Sequence, residues 1–255
     1  MYTTTGDILL TYYAPIGGTV TECYYWLKGL EAASGTVGDN SQTDNQEHTV
    51  TLSAYKIGET EVPQALYELV MGENPSNFKP SNGHPSASGE TQELRPVEYL
   101  TWREAVLFCN ELTLCTGIKE EDGKDARVYV LDNHPYTMKD GRDPDIDITK
   151  RGFRLPTEAE WEWTAQGGIA RHTYAGTDTS GQLGTYAWYG TNSKTHEVKK
   201  KQANGYGLYD MSGNVWEWCW DWYSPNTPPG NMINPQGPSS GTGHAIRGGG
   251  YGEHW

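Results

Sequence analysis

The chain has 255 residues, of which 35% are hydrophobic, and it carries 10 Trp, 17 Tyr and 31 Gly; a core of that length and composition must rest on aromatic burial and tight turns rather than on aliphatic helices. With 19 Lys and Arg against 33 Asp and Glu the net charge is −14, which repels phosphate backbones and anionic lipid surfaces and sets nucleic acid aside as a partner. No apolar run approaches the roughly 18 residues of a membrane span, and the opening "MYTTTGDILLTYYAPIGG" lacks the basic and apolar regions of a signal peptide.

Along the chain, residues 1–45 are the least patterned, and "EAASGTVGDNSQTDNQ" reads as a mobile surface loop. "EHTVTLSAYKIG" predicts strand, and "VPQALYELVMG" predicts a short helix with Pro63 in its first turn and Gly72 past its end. In "LTWREAVLFCNELTLCTG" Thr101 and Glu104 form a capping box, and Ala105, Phe108, Cys109 and Leu112 share one helical face ahead of the stop at Gly117. "RVYVL" and "DIDITK" suggest strands. "LPTEAEWEWTAQGG" repeats the capping box with Thr157 and Glu160 and ends at Gly167 and Gly168. The last third holds "NVWEWCWDWY", a strand, and long Gly, Asn, Ser and Pro stretches such as "MGENPSNFKPSNGHPSASGE" and "SPNTPPGNMINPQGPSSGTGH" separate the predicted elements. No linker or repeat divides the chain, so residues 1–255 read as one α+β domain, least certain over 1–45.

Chemistry-bearing patterns are few. Cys23, Cys109, Cys115 and Cys219 form no CxxC pair or zinc spacing; unreactive buried thiols are the plain reading, and a Cys23–Cys219 disulfide stays open. Asp143, Asp145 and Asp147 resemble a calcium loop, but Ile148 and Arg154 stand where that loop needs Gly and Glu. His134, His196 and His244 have no metal spacing, and Arg154 and Arg247 read as loop pins. In "GLYDMSGNVWEWCWDWY" the turn "SGN" leads into a strand that puts Trp216, Trp218, Trp220 and Trp222 on one face, expected to be the buried one, with Glu217, Cys219 and Asp221 opposite. Asp210 before the turn and Glu217 after it are candidates to converge with backbone carbonyls on a hard cation; hydrogen bonding of both to the turn is the alternative.

"FRLPTEAEWEWTAQGG", "NGYGLYDMSGNVWEWCWDWY" and "NPQGPSSGTGHAIRGGGY", in this order, resemble the formylglycine-generating enzyme family, also called the sulfatase-modifying factor domain. "YKIGETEVPQALYELVMGENPSNF" and "RPVEYLTWREAVLFCNEL" are similar to its amino-terminal half, so the resemblance covers about residues 45–255, with a weaker match at Gly17 to Thr21. It implies a compact, loop-rich C-type-lectin-like fold with helices packed on small antiparallel sheets. It also implies a structural calcium held by the side chains of Asp210 and Glu217 and the carbonyls of Gly213 and Val215. A second calcium site of the family falls in a loop shortened here around Tyr186 to Asn192 and is not carried over.

Catalytic members of that family oxidise a protein cysteine with copper(I) held by two thiolates, a soft pair that suits the metal. Here the segment reads "GGGYGEHW": Gly250 replaces a serine, Glu253 stands at the first cysteine's position, and the chain stops at Trp255 before the second. The expectation is therefore a carboxy-terminally incomplete, non-catalytic domain that presents a calcium-stabilised lectin-type surface, near His244 to Trp255, to a protein, peptide or glycan. The alternative is the formylglycine-generating oxidase, with copper ligands beyond Trp255; a structural module of a larger exported assembly is third. Calcium dependence favours an extracytoplasmic setting, while ligand, oligomeric state and compartment are not given by the sequence.

Overall fold

The computed structural model describes residues 6–42, 44–190, 193–226 and 230–252. It is a mixed α and β structure of four α-helices and several small sheets among the described residues. Residues 1–45, expected to be unpatterned, instead contribute three strands from Ile8 onward. β1 (Ile8–Ile16) and β2 (Thr19–Leu30) form an antiparallel hairpin. Its two-residue turn is Gly17-Gly18, with φ of 57° and 83°, the doubly left-handed conformation whose twist suits adjacent strands. The Gly-Gly pair between two runs of Tyr, Ile, Val and Thr was the available signal. The stretch read as a mobile loop contains β3 (Ala33–Val37), which pairs with β4 (His48–Leu52). Val37 and Val50 are fully buried, and Gly35 admits the Trp163 ring, since a Cβ there would lie 2.8 Å from Cζ3. That burial turns a polar, Gly-bearing segment into strand.

The helices follow local chemistry closely. α1 (Gln64–Met71) begins after Pro63 and ends at Gly72, φ 80°, and both expected capping boxes are formed, Thr101/Glu104 for α2 (Trp102–Cys115) and Thr157/Glu160 for α3 (Glu158–Ala165). The expected α2 face of Ala105, Phe108, Cys109 and Leu112 is buried. α4 (Leu183–Tyr186) is a single turn. β5 (Tyr55–Gly58) joins β2. β6 (Tyr129–Leu131) carries β7 (His134–Pro135) and β8 (Asp145–Ile146); β8 is shorter than the "DIDITK" expectation, because Asp147 turns away to accept from the Thr149 hydroxyl at 2.6 Å. β9 (Glu217–Trp222) pairs with β11 (His244–Arg247), and β10 (Asn231–Ile233) runs parallel to β4.

The tryptophan strand is inverted relative to expectation. The buried face of β9 is the Cys219 and Asp221 face. Cys219 lies in a cluster with Trp161, Leu208 and Met211, and Asp221 accepts from the first N–H of α3, Glu158 N, at 2.8 Å. The indoles are partly buried at Trp218, Trp220 and Trp222, and Trp216 is 47% exposed. Alternation separated the two faces; what packs on each decided which was inside. Trp161 and Trp163 are core residues. Arg154 clamps Glu160 through two bonds of 2.7 Å, and Arg247 reaches Glu162 at 2.8 Å. The calcium-loop pattern at Asp143 is an ion pair with Arg103, at 2.6 Å.

Candidate functional site

Between Gly207 and Glu217 the chain coils through left-handed residues at Asp210 (φ 58°), Gly213 (φ 86°) and Asn214 (φ 57°) before β9 starts. Asn and Asp tolerate this region because their short side chains bond locally. Gly213 has no alternative: a Cβ would collide with the Trp188 carbonyl. Asn214 is fully buried and ties the turn to three distant segments. Its Nδ2 donates to Glu61 Oε2 at 2.7 Å, its Oδ1 accepts from His196 N at 2.9 Å, and its carbonyl accepts from Tyr251 N at 2.9 Å.

Three carboxylates share this neighbourhood. Asp210 is buried; Oδ2 accepts from Lys199 N at 2.7 Å, while Oδ1 has no partner. Burial pushes the Asp210 carboxyl up to about 6 and the Glu217 carboxyl up to about 7. Glu61, which sequence reasoning missed, is raised well above the carboxylate range by burial and then by the charges of Asp210 and Glu217. Its two oxygens are engaged by Asn214 Nδ2 and by Val215 N, the latter at 3.0 Å. No local motif marks Glu61; only the fold brings it across from the start of α1.

Of the four expected ligands, Asp210 and Glu217 are thus electrostatically coupled to one buried acidic centre. The carbonyls of Gly213 and Val215 accept no hydrogen bond from the described residues. Among the described residues no three His, Cys, Asp or Glu side chains converge as a metal cage. The expected set differs in kind, with two carboxylates and two carbonyls, all hard oxygen donors of the type calcium takes. An unpartnered buried carboxylate oxygen at Asp210 is costly on its own and fits an added cation.

Next to this turn is an aromatic face. The His244 ring is sandwiched between Trp102 and Trp222, with centroid separations of 3.6 and 3.8 Å. Trp220 stacks on Tyr129 at 5.4 Å, and the Trp102 and Trp218 indoles donate to the carbonyls of Cys219 and Leu100. This packing leaves Trp216 and Ile246 as a ridge between two depressions. One is lined by Phe78, Tyr99, Gly250 and Tyr251. The other, of about 430 Å³, is lined by Asp44, Glu158, Tyr223, His244 and Arg247. Tyr99 is 81% exposed and has φ 64°, a conformation that is strained for a bulky residue and that tends to occur at functional sites. Sequence reasoning gave no hint of Tyr99 or of the His244 sandwich, because each depends on partners far along the chain. Glu253 and the rest of 253–255 lie outside the described residues.

The family model for the sulfatase-modifying factor enzyme 1-like domain matches residues 25–255. The chain belongs to this family. Among curated relatives, the chaperone protein LppX of Paenibacillus barcinonensis is 34% identical over 221 residues, covering 78% of this chain and 74% of that one. The formylglycine-generating enzyme of Streptomyces coelicolor is 38% identical over 147 residues, or 52% of this chain and 47% of the enzyme, so the chain matches about half the length of that relative. Among solved structures, Treponema denticola variable protein 1 superposes with a TM-score of 0.81 at 43% identity, covering 96% of this chain and 88% of its own. PvdO from Pseudomonas aeruginosa, at 20% identity and a TM-score of 0.58 over 90% of this chain and 83% of its own, shares the fold.

The copper chemistry known in the sulfatase-modifying factor family needs paired thiolates, and the described cysteines do not fit it. All four are free; Cys23, Cys109 and Cys219 are buried, and only Cys115 is exposed. Burial pushes Cys109 up to about 12 and raises Cys23 and Cys219 as well, so these thiols stay protonated near neutrality.

Asp221 offers a pH test of the β9 assignment. Burial, only partly offset by the Glu158 N–H, pushes its carboxyl up to about 7. The folded state therefore holds a proton that the unfolded chain releases near pH 4, so the stabilisation is full below about pH 4 and is lost as pH rises through about 7. Asp221→Asn keeps an oxygen acceptor for Glu158 N. The variant is expected to flatten the fall in stability between pH 4 and 7 and to be more stable than the parent at pH 8 by roughly 1–3 kcal/mol. Urea titrations at pH 4, 6 and 8 read this; parallel pH profiles for the two proteins would contradict it.

Proposed function

We propose that this chain is a non-catalytic member of the sulfatase-modifying factor family whose calcium-braced turn carries a lectin-type recognition face for a protein, peptide or glycan ligand. The observation that carries this reading is the exposed Trp216 and Ile246 ridge, mounted on the stacked Trp102, His244 and Trp222 and flanked by two depressions. Exposed aromatics on a rigid support lose little conformational entropy on binding and commonly act as anchors. Gly250 lies against Trp216, where a Cβ would come 3.3 Å from Cδ1, so a larger residue here would press on the indole. The relative named a chaperone supports a polypeptide among the ligand classes.

The test is binding of the purified domain to glycan and peptide arrays, followed by titration of the best hit. Trp216→Ala is expected to weaken that titration about tenfold or more, while a partly exposed position leaves stability within about 0.5–1 kcal/mol. Undiminished binding by Trp216→Ala and by Ile246→Ser would move the site elsewhere. The alternative, an oxidase converting a protein cysteine to formylglycine, requires a thiolate pair that the described residues lack. Aldehyde formation on a cysteine peptide by the copper-treated protein, seen by mass spectrometry, would reinstate it.

A further inference from the structure

We propose that β1 is a self-pairing edge through which two copies of this chain form an antiparallel dimer centred on Thr11. β1 is the terminal strand of the β1-β2-β5 sheet, and no described residue bonds to its outer edge. The whole of β1 precedes the segment matched by the family model, which begins at residue 25.

The hairpin geometry fixes which backbone groups face outward. Ile16 and Thr19 close the two-residue turn and form a hydrogen-bonded pair, so the even-numbered residues of β1 face β2. Two independent bonds agree: Glu59 N donates to Trp26 O on the β5 side of β2, and Gly29 N donates to Asp7 Oδ1 on the β1 side. Leu9, Thr11 and Tyr13 therefore present unpaired N–H and C=O groups outward. Pro15 has the same parity, and its missing N–H falls on the open side, where an edge strand tolerates it.

That arrangement favours one register. In an antiparallel pair of identical strands, the outward groups match when Leu9 faces Tyr13 of the second copy and Thr11 faces Thr11. All three outward N–H groups of each strand then find acceptors, and Pro15 terminates the ladder opposite Asp7. Asp7 is itself neutralised by Lys28 at 2.8 Å. The strand from Ile8 to Ile16 carries no charge at all in a chain of net charge −14, so no like charges meet across the pair, whereas edges that avoid association usually carry Lys or other charges. The outer face adds exposed Leu9 and Tyr13 from β1 and Val20 and Tyr24 from β2, giving Leu9–Tyr13 and Thr11–Thr11 cross-strand contacts of the stabilising kind. A two-fold axis makes the interface closed, as most homodimers are.

The test is the mass of the full chain by light scattering and sedimentation across a concentration series. A concentration-dependent dimer is expected, and Thr11→Lys, which places two ammonium groups face to face at an exposed position, should raise its Kd about fivefold or more without altering the melting temperature of the monomer. Register is read separately by cross-linking in a Cys115→Ser background. Residues opposed in a hydrogen-bonded pair have Cα atoms about 5.5 Å apart, within disulfide range, so Thr11→Cys should form a covalent dimer on mild oxidation, while Tyr13→Cys, which faces Leu9, should do so much more slowly. A monomer at every concentration, or equal cross-linking at both positions, overturns the proposal.

Discussion

Calcium is expected to raise the melting temperature of the metal-free protein, and Asp210→Asn is expected to abolish that response. Asp210 Oδ1 is buried without a partner; burial raises the proton affinity of Glu61, Asp210 and Glu217, and the Asp210 charge adds to this at Glu61 and Glu217. A cation binding only the folded state stabilises it by about 2.7 kcal/mol at a hundredfold excess over Kd, which for a domain of this size is a shift of roughly 5–10 °C. Asn is the informative substitution. It tolerates the left-handed backbone at φ 58° and keeps an acceptor for Lys199 N, yet it removes the charge. In chelator the variant should be at least as stable as the parent, since a buried unpaired carboxylate has been neutralised. Identical melting curves in calcium and in chelator for the parent would end the metal proposal while leaving the recognition face to be judged by its own test.

Asn214→Ala should be the most damaging single truncation in the turn, at about 3–5 kcal/mol, or a fall of roughly 10 °C or more in melting temperature. The side chain is fully buried, donates to Glu61 and accepts from His196 N. Removing it strands a carboxylate oxygen and an amide N–H inside the protein. Alanine also suffers the steric cost of φ 57°. Asn214→Gly separates the two effects: it loses the same hydrogen bonds but relieves the backbone, so it should exceed the alanine variant in stability by about 1 kcal/mol. Equal stability of the parent and both variants in chemical denaturation would show that the turn does not depend on this residue.

The elements legible in advance were those whose signals are complete within a few residues. The capping boxes at Thr101 and Thr157 and the stop at Gly72 satisfy helix-end groups with neighbours three or four positions away. The Gly17-Gly18 hairpin was equally local, and its signal went unused. β3 was not of this kind: a polar segment becomes strand there because β4 supplies the hydrogen bonds and Trp163 fills the space over Gly35.

For the candidate site, the order of residues in "GLYDMSGNVWE" was enough to bring out Asp210 and Glu217 on either side of a turn set by its own Gly and Asn, and the family resemblance added the carbonyls of Gly213 and Val215. Alternation alone was enough to separate the four tryptophans from Glu217, Cys219 and Asp221. Which face is inside, and which acid completes the buried centre, required tertiary structure. α3 and the Trp161 cluster bury Cys219 and Asp221, the segment leading into α1 carries Glu61 across, and β11 inserts His244 between Trp102 and Trp222. Periodicity is a property of one strand and local bonding of one turn, but burial is a relation between surfaces distant in the chain, so the sequence by itself determined the pattern and only the assembled fold decided its direction.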